Sequence, residues 1–258
     1  MKLAVSGKGG VGKTTISACL ARLFAGQGYR VLAIDADPDS NLASALGIPS
    51  EKAAQILPIS RSSELIEERT GAKPGQSGSM FKLNPRVDDL PDSMSVEHDG
   101  VRLLVLGAIE KGGHGCICPQ STLLKSLVSH VVLRRKELVL LDMEAGIEHL
   151  GRGTAKGVDA LLVVADPDRQ SIQTARTIDR LARETGIEKV LVILNKVRSS
   201  EEEELLRKGL KNMHILGVVQ DSPGVRLASL KEAAPDPGDA AFNRQIEVLV
   251  NGLKERLQ

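Results

Sequence analysis

The chain has 258 residues, 41% of them hydrophobic, which is enough for one sizeable core and predicts a single α/β domain over residues 1–258. Its 34 basic and 33 acidic residues leave a formal net charge of +1, so charge gives no reason to expect nucleic acid or an anionic membrane as a partner. The first strand begins directly after Met1, which leaves no room for a signal peptide, and no apolar run approaches the ~20 residues of a membrane span. Three cysteines are too few for a disulfide framework, so we expect a reduced, cytoplasmic protein.

The first predicted elements are a strand, a glycine-rich loop and a helix. Residues 3–5 form a short apolar run typical of a buried parallel strand. A helix ending at Gly26 and Gly28 is predicted from apolar residues that share one face, namely Ile16, Cys19, Leu20, Leu23 and Phe24. Between the two, residues 7–15 read GKGGVGKTT and contain the pattern G-x-x-x-x-G-K-[ST], whose glycines let backbone N–H groups approach phosphate. Because strand, loop and helix stand in the required order, the chain is predicted to bind a nucleoside triphosphate.

Two side chains of this loop have predicted roles. Lys13 is expected to meet the β- and γ-phosphates, and the Thr14 hydroxyl is expected to ligate Mg²⁺. The positive end of the following helix dipole favours the same anion. The loop residues expected to contact the nucleotide are Gly9, Gly10, Val11, Gly12, Lys13, Thr14 and Thr15.

A second lysine in the loop, Lys8, narrows the class of protein. With it, the loop resembles the deviant Walker A motif of the family that includes MinD, ParA and the nitrogenase iron protein. The resemblance implies a P-loop NTPase fold of three layers, in which a mostly parallel central sheet has helices on both faces. It also implies a homodimer that closes on ATP, with Lys8 reaching the nucleotide of the partner subunit. The residues alone leave open that Lys8 serves the phosphates of its own subunit.

A second buried strand is predicted at residues 31–34, and it ends in the acidic stretch DADPDSN at 35–41. Open α/β sheets place ligands at the carboxyl ends of their strands. By the family resemblance, Asp37 takes the position of the switch I aspartate that orients the attacking water, and we also expect it at the Mg²⁺ site. An N-cap for a helix at 42–46 is the alternative role for this stretch, and it suits Asp39 or Ser40 better. Lys8, Lys13 and Asp37 are therefore the predicted catalytic residues.

The rest of the chain continues the α/β pattern after a less regular region at 47–100, where a capped helix is predicted at 60–69. Further buried strands are predicted at 101–106, 137–142, 159–165, 190–194 and 215–219, with helices at 171–184 and from Phe242 to Leu257. Asp142 ends its strand as a Walker B aspartate that would hold Mg²⁺, and residues 142–146 match the D-x-x-x-G spacing of switch II. The resemblance puts Asn195 on the adenine edge, although an asparagine after a strand is by itself usually a turn residue.

Cys116 and Cys118 form a C-x-C pair in the glycine-rich stretch 112–119. Two thiolates fill half of the shell of a soft metal, and a twofold axis near the loop would bring four together. His114 is a possible further ligand, whereas Cys19 lies on the apolar face of the first helix and is predicted to be part of the core. A bare C-x-C is a weak signal, and two packed thiols remain the alternative.

Three strings outside the phosphate loop carry a closer resemblance. They are GCICP at 115–119, MFKLNP at 80–85 and DMEAGIEHLGRGT at 142–154, and they resemble the CooC-type accessory ATPases of carbon monoxide dehydrogenase. The resemblance implies an ATP-hydrolysing metallochaperone that uses ATP/ADP and Mg²⁺. It would hold Ni²⁺, or Zn²⁺ at the same site, between the four thiolates of a homodimer. The client would be carbon monoxide dehydrogenase or the related acetyl-CoA synthase.

Two other functions remain as alternatives. One is an ATP-dependent iron–sulfur reductase like the nitrogenase iron protein, whose cluster cysteines come from well-separated positions. The other is a positioning ATPase of the MinD or ParA kind, which needs a membrane helix or a basic patch that the balanced charge does not indicate. Neither alternative accounts for the C-x-C pair. The segment KEAAP at 231–235 is looser than the resemblance leads us to expect, which bears on the adenine pocket.

Overall fold

The computed structural model describes residues 1–37, 41–73, 80–107, 136–144, 157–235 and 239–257, together with residues 119, 122, 123, 126 and 127. The predicted metal ligands Cys116 and Cys118 lie outside these residues, as do His114 and the switch II glycine Gly146. Their predicted roles therefore stay predictions.

The strands of the described residues join in one eight-stranded sheet, in the order β3-β4-β2-β5-β1-β6-β7-β8. Their bounds are β1 Lys2–Gly7, β2 Arg30–Ala36, β3 Val96–His98, β4 Val101–Val105, β5 Glu137–Met143, β6 Ala160–Ala165, β7 Val190–Val197 and β8 His214–Gln220. All neighbouring pairs are parallel except β3 with β4. The predicted mostly parallel sheet is confirmed. Both faces of a parallel sheet are covered by other elements, so its strands are apolar throughout and were recognisable in the sequence as apolar runs.

Helices lie between the strands of the described residues and after the last of them. Their bounds are α1 Lys13–Gly26, α2 Leu42–Ala45, α3 Ser50–Ala53, α4 Ser63–Thr70, α5 Leu90–Met94, α6 Arg169–Thr185, α7 Ser200–Gly209, α8 Pro223–Leu230 and α9 Ala240–Leu257, with a 3₁₀ turn at Ile59–Arg61. Helix α1 ends at Gly26, as predicted from the two glycines, and Gly28 follows it with φ +81°. None of the helices of the described ranges is long and apolar enough to cross a membrane.

The core consists of two apolar clusters, one on each face of the sheet. Successive residues of a strand point to opposite faces, and in β1 Ala4 belongs to one cluster while Leu3 and Val5 belong to the other. Helices α4 to α7 contribute to the first cluster, and α1, α2 and α9 contribute to the second. The sheet is therefore the middle of three layers, as the family resemblance implied.

The antiparallel edge strand β3 was not predicted. It pairs with β4 through a two-residue turn at Asp99 and Gly100, both of which have positive φ (48° and 76°). Asp-Gly is a strong local signal for such a turn, because type I′ hairpins need positive φ at both central positions. This dipeptide could have revealed the hairpin, but β3 has only three residues and shows no clear alternation.

Candidate nucleotide-binding site

The site lies where the central strands end. Strand β1 runs between β5 and β6, and all three are parallel, so their carboxyl ends meet at one edge of the sheet. Strands β2 and β7 flank this group with the same direction. The predicted loop, the acidic residues at the carboxyl ends of β2 and β5, and Asn195 are thereby brought to a common edge. This is the position at which open α/β sheets bind ligands.

Two glycines of the loop are required by close contacts. A Cβ atom on Gly7 would lie 2.4 Å from the Val164 carbonyl oxygen in the neighbouring strand β6. A Cβ on Gly12 would lie 2.4 Å from Asn195 Nδ2, and Gly12 also has φ +96°, which favours glycine. Gly12 is the N-cap of α1, so the backbone turns there directly into the helix. A larger residue at either position would force the loop or the group it contacts to shift.

Lys13 begins α1 and is buried, with only 7% of the residue exposed. Its Nζ donates a hydrogen bond to the Lys8 carbonyl oxygen, 3.3 Å away. A buried ammonium with so long a hydrogen bond to the loop is well placed to bind an anion. Its contact with the phosphates stays a prediction.

Asp142 is buried near the end of β5 and forms one side of the candidate Mg²⁺ site. The Ser17 hydroxyl donates to its Oδ1 at 3.0 Å, whereas Oδ2 is buried and has no hydrogen-bond partner among the residues that the structure describes. Burial raises the pKa of Asp142 to about 6, while the hydroxyls of Thr14 and Ser17 and the charge of Lys13 act against this rise. An unsatisfied buried carboxylate oxygen close to the Thr14 hydroxyl fits a hard cation with oxygen ligands.

Ser17 was missed in the sequence because its role is to support Asp142. It lies three residues after Thr14 on α1, and residues at this spacing share one face of a helix. The three-residue spacing from Thr14 was the sequence signal that could have identified Ser17.

Asp35 was also missed, although it lies two residues before the predicted catalytic Asp37. Its carboxylate is fully buried and accepts hydrogen bonds from the N–H groups of Leu42 at 3.1 Å and Asp37 at 3.2 Å. Asp35 also pairs in register with Asp142 on the adjacent strand. Burial raises the pKa of Asp35 to about 7, and the negative charges of Asp142 and Asp37 contribute to the rise. The edge therefore concentrates three carboxylates that a cation would stabilise.

Asp35→Asn is expected to be more stable relative to the parent at pH 8 than at pH 5, in the absence of Mg²⁺ and nucleotide. The pKa of Asp35 is raised from 3.8 to about 7, so in this range the folded chain keeps a proton that the unfolded chain releases. The linked stabilisation is complete below pH 3.8 and is lost as the pH rises through about 7. Since asparagine does not titrate, the free energy of unfolding of the variant relative to the parent should rise by roughly 2–3 kcal/mol from pH 5 to pH 8.

Denaturant unfolding in EDTA at the two pH values measures this difference. Asp88→Asn is the matched control. The Arg86 hydrogen bond holds the pKa of this exposed carboxyl below its usual range, so Asp88 is ionised at both pH 5 and pH 8. A relative stability of Asp35→Asn that does not change with pH would show that Asp35 is ionised throughout.

The second loop lysine, Lys8, is ion-paired with Asp168 of the same chain. Asp168 is the N-cap of α6, where its Oδ1 accepts from the Gln170 N–H at 2.8 Å, and the Lys8 bond lowers the pKa of Asp168. Asp168 was not predicted, because it follows β6 and lies 160 residues along the chain from Lys8. The contact of Lys8 with a partner subunit stays a prediction.

Asn195 lies against the loop, near the end of β7. Its Nδ2 donates to the Val11 carbonyl oxygen at 2.8 Å, and the residue is only 6% exposed. The next residue, Lys196, was not singled out in the sequence, yet its Nζ donates to the Gly10 carbonyl oxygen at 2.6 Å. Asn195 is thus part of the site, and its contact with adenine stays a prediction.

Comparisons with known proteins agree with this geometry. Residues 2–235 match the model of the CobQ/CobB/MinD/ParA nucleotide binding domain family. The carbon monoxide dehydrogenase accessory protein CooC of Rhodospirillum rubrum is 47% identical over 255 residues, which cover 96% of this chain and 97% of that protein. An uncharacterised ATP-binding protein of Methanocaldococcus jannaschii is 49% identical over 222 residues, 85% of this chain and 84% of that protein.

Solved structures share the fold at lower sequence identity. The septum site-determining protein MinD of Pyrococcus horikoshii, complexed with Mg-ADP, superimposes with a TM-score of 0.67 at 19% identity, covering 98% of this chain and 96% of that chain. MinD of Aquifex aeolicus superimposes with a TM-score of 0.68 at 21% identity, covering 98% and 97%. The chain therefore belongs to the CobQ/CobB/MinD/ParA family of nucleotide-binding ATPases and, within that family, is related over nearly its whole length to the CooC accessory protein.

Proposed function

We propose that this ATPase is a metallochaperone that assists nickel insertion into carbon monoxide dehydrogenase or the related acetyl-CoA synthase. The observation that carries the proposal is the 47% identity to a carbon monoxide dehydrogenase accessory protein over 96% of the chain. The C-x-C pair at Cys116 and Cys118 supports a metal as the cargo, because paired thiolates are ligands for soft metals.

In this proposal the chain's own residues perform ATP hydrolysis at the sheet edge. Lys13 and the N–H groups of the loop bind the phosphates, and Asp37 orients the attacking water and accepts its proton. Thr14, Asp142 and Asp37 would hold Mg²⁺, which neutralises charge on the phosphates when bound. The Oδ2 of Asp142 supports this assignment. It has no partner within the described part of the chain, and a buried carboxylate oxygen otherwise loses its solvation without compensation.

The metal site is proposed to be shared between two chains. Two thiolates leave half of a tetrahedral or square-planar shell open, and a second copy related by a twofold axis supplies the other half. Cys19 is not a candidate ligand: it packs against the core, and burial raises the pKa of Cys19 to about 12, so its thiolate is not accessible near neutral pH. The homodimer is therefore the unit that would carry one Ni²⁺, or one Zn²⁺ in its place.

Metal binding by anaerobically purified full-length protein tests the proposal. We expect half an equivalent of Ni²⁺ per chain, with release of protons as the thiols ionise, and a shift toward the dimer in light scattering. Cys116→Ser or Cys118→Ser should abolish tight binding, and Cys19→Ser, the matched control, should retain it. Activation of the nickel-free client enzymes by the loaded protein and ATP then distinguishes carbon monoxide dehydrogenase from acetyl-CoA synthase.

Two outcomes would contradict the proposal. One metal held per chain after dilution to monomers would replace the shared site by a local one, with His114 as the candidate further ligand. A bound iron–sulfur cluster, visible as brown colour and by iron analysis, would favour the reductase alternative.

A further inference from the structure

Strand β7 ends in an unusual backbone conformation. Lys196 has φ +58°, in the left-handed region that residues with a Cβ atom rarely adopt. The pairing of β7 with β8 is irregular between Leu194 and Val197, which brackets this residue. A conformation of this kind persists where surrounding contacts compensate for it, and it often marks a functional site.

The conformation allows two consecutive side chains to reach the same loop. In a regular strand, the side chains of Asn195 and Lys196 would point to opposite faces of the sheet. Here Asn195 Nδ2 donates to the Val11 carbonyl oxygen and Lys196 Nζ donates to the Gly10 carbonyl oxygen. The contacts with the loop thus depend on the positive φ of Lys196.

These contacts hold the glycine-rich part of the loop. Gly10 and Gly12 have φ +81° and +96°, and neither has a side chain that packs the backbone in place. The peptide bonds of the described residues are all trans, so each N–H points opposite to the carbonyl of the same peptide plane. Bonding the Gly10 and Val11 carbonyls to β7 therefore fixes the direction of the Val11 and Gly12 N–H groups. A phosphate-binding loop depends on that direction.

We propose that Lys196 is a positioning residue of the nucleotide site, whose ammonium holds the Gly10 peptide in the phosphate-binding orientation before nucleotide arrives. Asn195 holds the next peptide, so β7 aligns two successive loop carbonyls. Lys196 acts through the loop backbone and not by contact with the reacting atoms. Its role is to lower the cost of ordering the loop on binding.

Three substitutions separate the ammonium from the backbone conformation. Lys196→Met keeps most of the length and removes the donor, Lys196→Arg keeps a cation, and Lys196→Gly removes the donor while it relieves the positive φ. Lys189→Met is the matched control, because Lys189 Nζ donates to the Arg256 carbonyl oxygen at 3.0 Å, a similar exposed bond beside the other end of β7.

The dissociation constants of Mg-ADP and of a non-hydrolysable ATP analogue are measured by calorimetry, together with kcat, KM and nucleotide-free thermal unfolding. We expect Lys196→Met to raise both dissociation constants roughly tenfold, the loss of one charged hydrogen bond. KM should rise more than kcat falls, because the loop binds ground state and transition state alike. Lys196→Arg should recover most of the affinity. Lys196→Gly should bind nucleotide as weakly as Lys196→Met does, and its thermal stability should equal or exceed that of Lys196→Met.

Three results would overturn the proposal. Parental affinity in Lys196→Met would show that the bond is dispensable, and Lys196→Gln takes its place if Lys196→Met does not fold. Parental affinity in Lys196→Gly would assign the effect to backbone conformation alone. A loss of affinity that Lys189→Met shares, or that Lys196→Arg does not relieve, would indicate a general loss of structure.

Discussion

Asp37→Asn is expected to abolish ATP hydrolysis while ATP binding persists. Asparagine keeps the size of the side chain but cannot accept the proton of the attacking water, and loss of such a base typically costs ~10²–10⁴-fold in rate. The position supports this role, because Asp37 follows β2 with its N–H bonded to Asp35 and its charge raises the pKa of both Asp35 and Asp142. Phosphate release and calorimetry with a non-hydrolysable analogue measure the two properties separately.

Two further variants are compared with Asp37→Asn in the same assays. Lys13→Ala should lose affinity and hydrolysis together, since its ammonium is expected to touch the phosphates in both states. Asp88→Asn, which removes a surface carboxylate bonded to Arg86, should change neither. Turnover at the parental rate by Asp37→Asn would remove Asp37 from catalysis. A loss of Mg²⁺-dependent affinity would show that its part in holding the cation is also needed for binding.

Lys8→Ala is expected to weaken ATP-dependent dimer formation and to lower turnover by roughly 10²–10³-fold, while each monomer still binds nucleotide. The reason is that a cation supplied by the partner stabilises charge that develops on the phosphates in the transition state. Here the Lys8 ammonium is held by Asp168 of its own chain, so it must leave Asp168 before it can reach a partner. Both side chains are partly exposed (30% and 40%), and ion pairs of this kind are weak, so little free energy opposes the exchange.

Asp168→Asn tests this exchange without damage to α6. Asparagine is as good an N-cap as aspartate and can keep the bond from the Gln170 N–H, but it lacks the charge that retains Lys8. Light scattering with a non-hydrolysable ATP analogue should show a dimer fraction at or above that of the parent, and Lys211→Ala, an exposed control, should match the parent. An unchanged dimer fraction in Lys8→Ala would count against the cross-subunit role. Fewer dimers in Asp168→Asn would show that the ion pair supports the dimer instead of restraining it.

Local pattern was sufficient to locate the nucleotide loop and most of the sheet. The spacing of Gly7, Gly12, Lys13 and Thr14 follows from the geometry of one tight turn into a helix, and all of its determinants lie within eight residues. Parallel strands are buried on both faces, so runs such as 137–142 were recognisable without knowledge of their neighbours. Asp142 was predicted as a Mg²⁺ ligand in the same way, because it lies near the end of a strand of this kind, and this role stays a prediction.

The side chains that support the loop could be identified only in the folded chain. Asp168 and Lys196 lie 160 and 186 residues from their loop partners, and the strand order β1-β6-β7 is what brings them to the same edge. The raised pKa of Asp35 has a similar origin, since it depends on burial and on the carboxylate of Asp142 in the neighbouring strand. Hydrogen bonds and electrostatic interactions act over a few ångströms in space. Residues far apart in sequence therefore reveal such roles only when the strands are placed side by side.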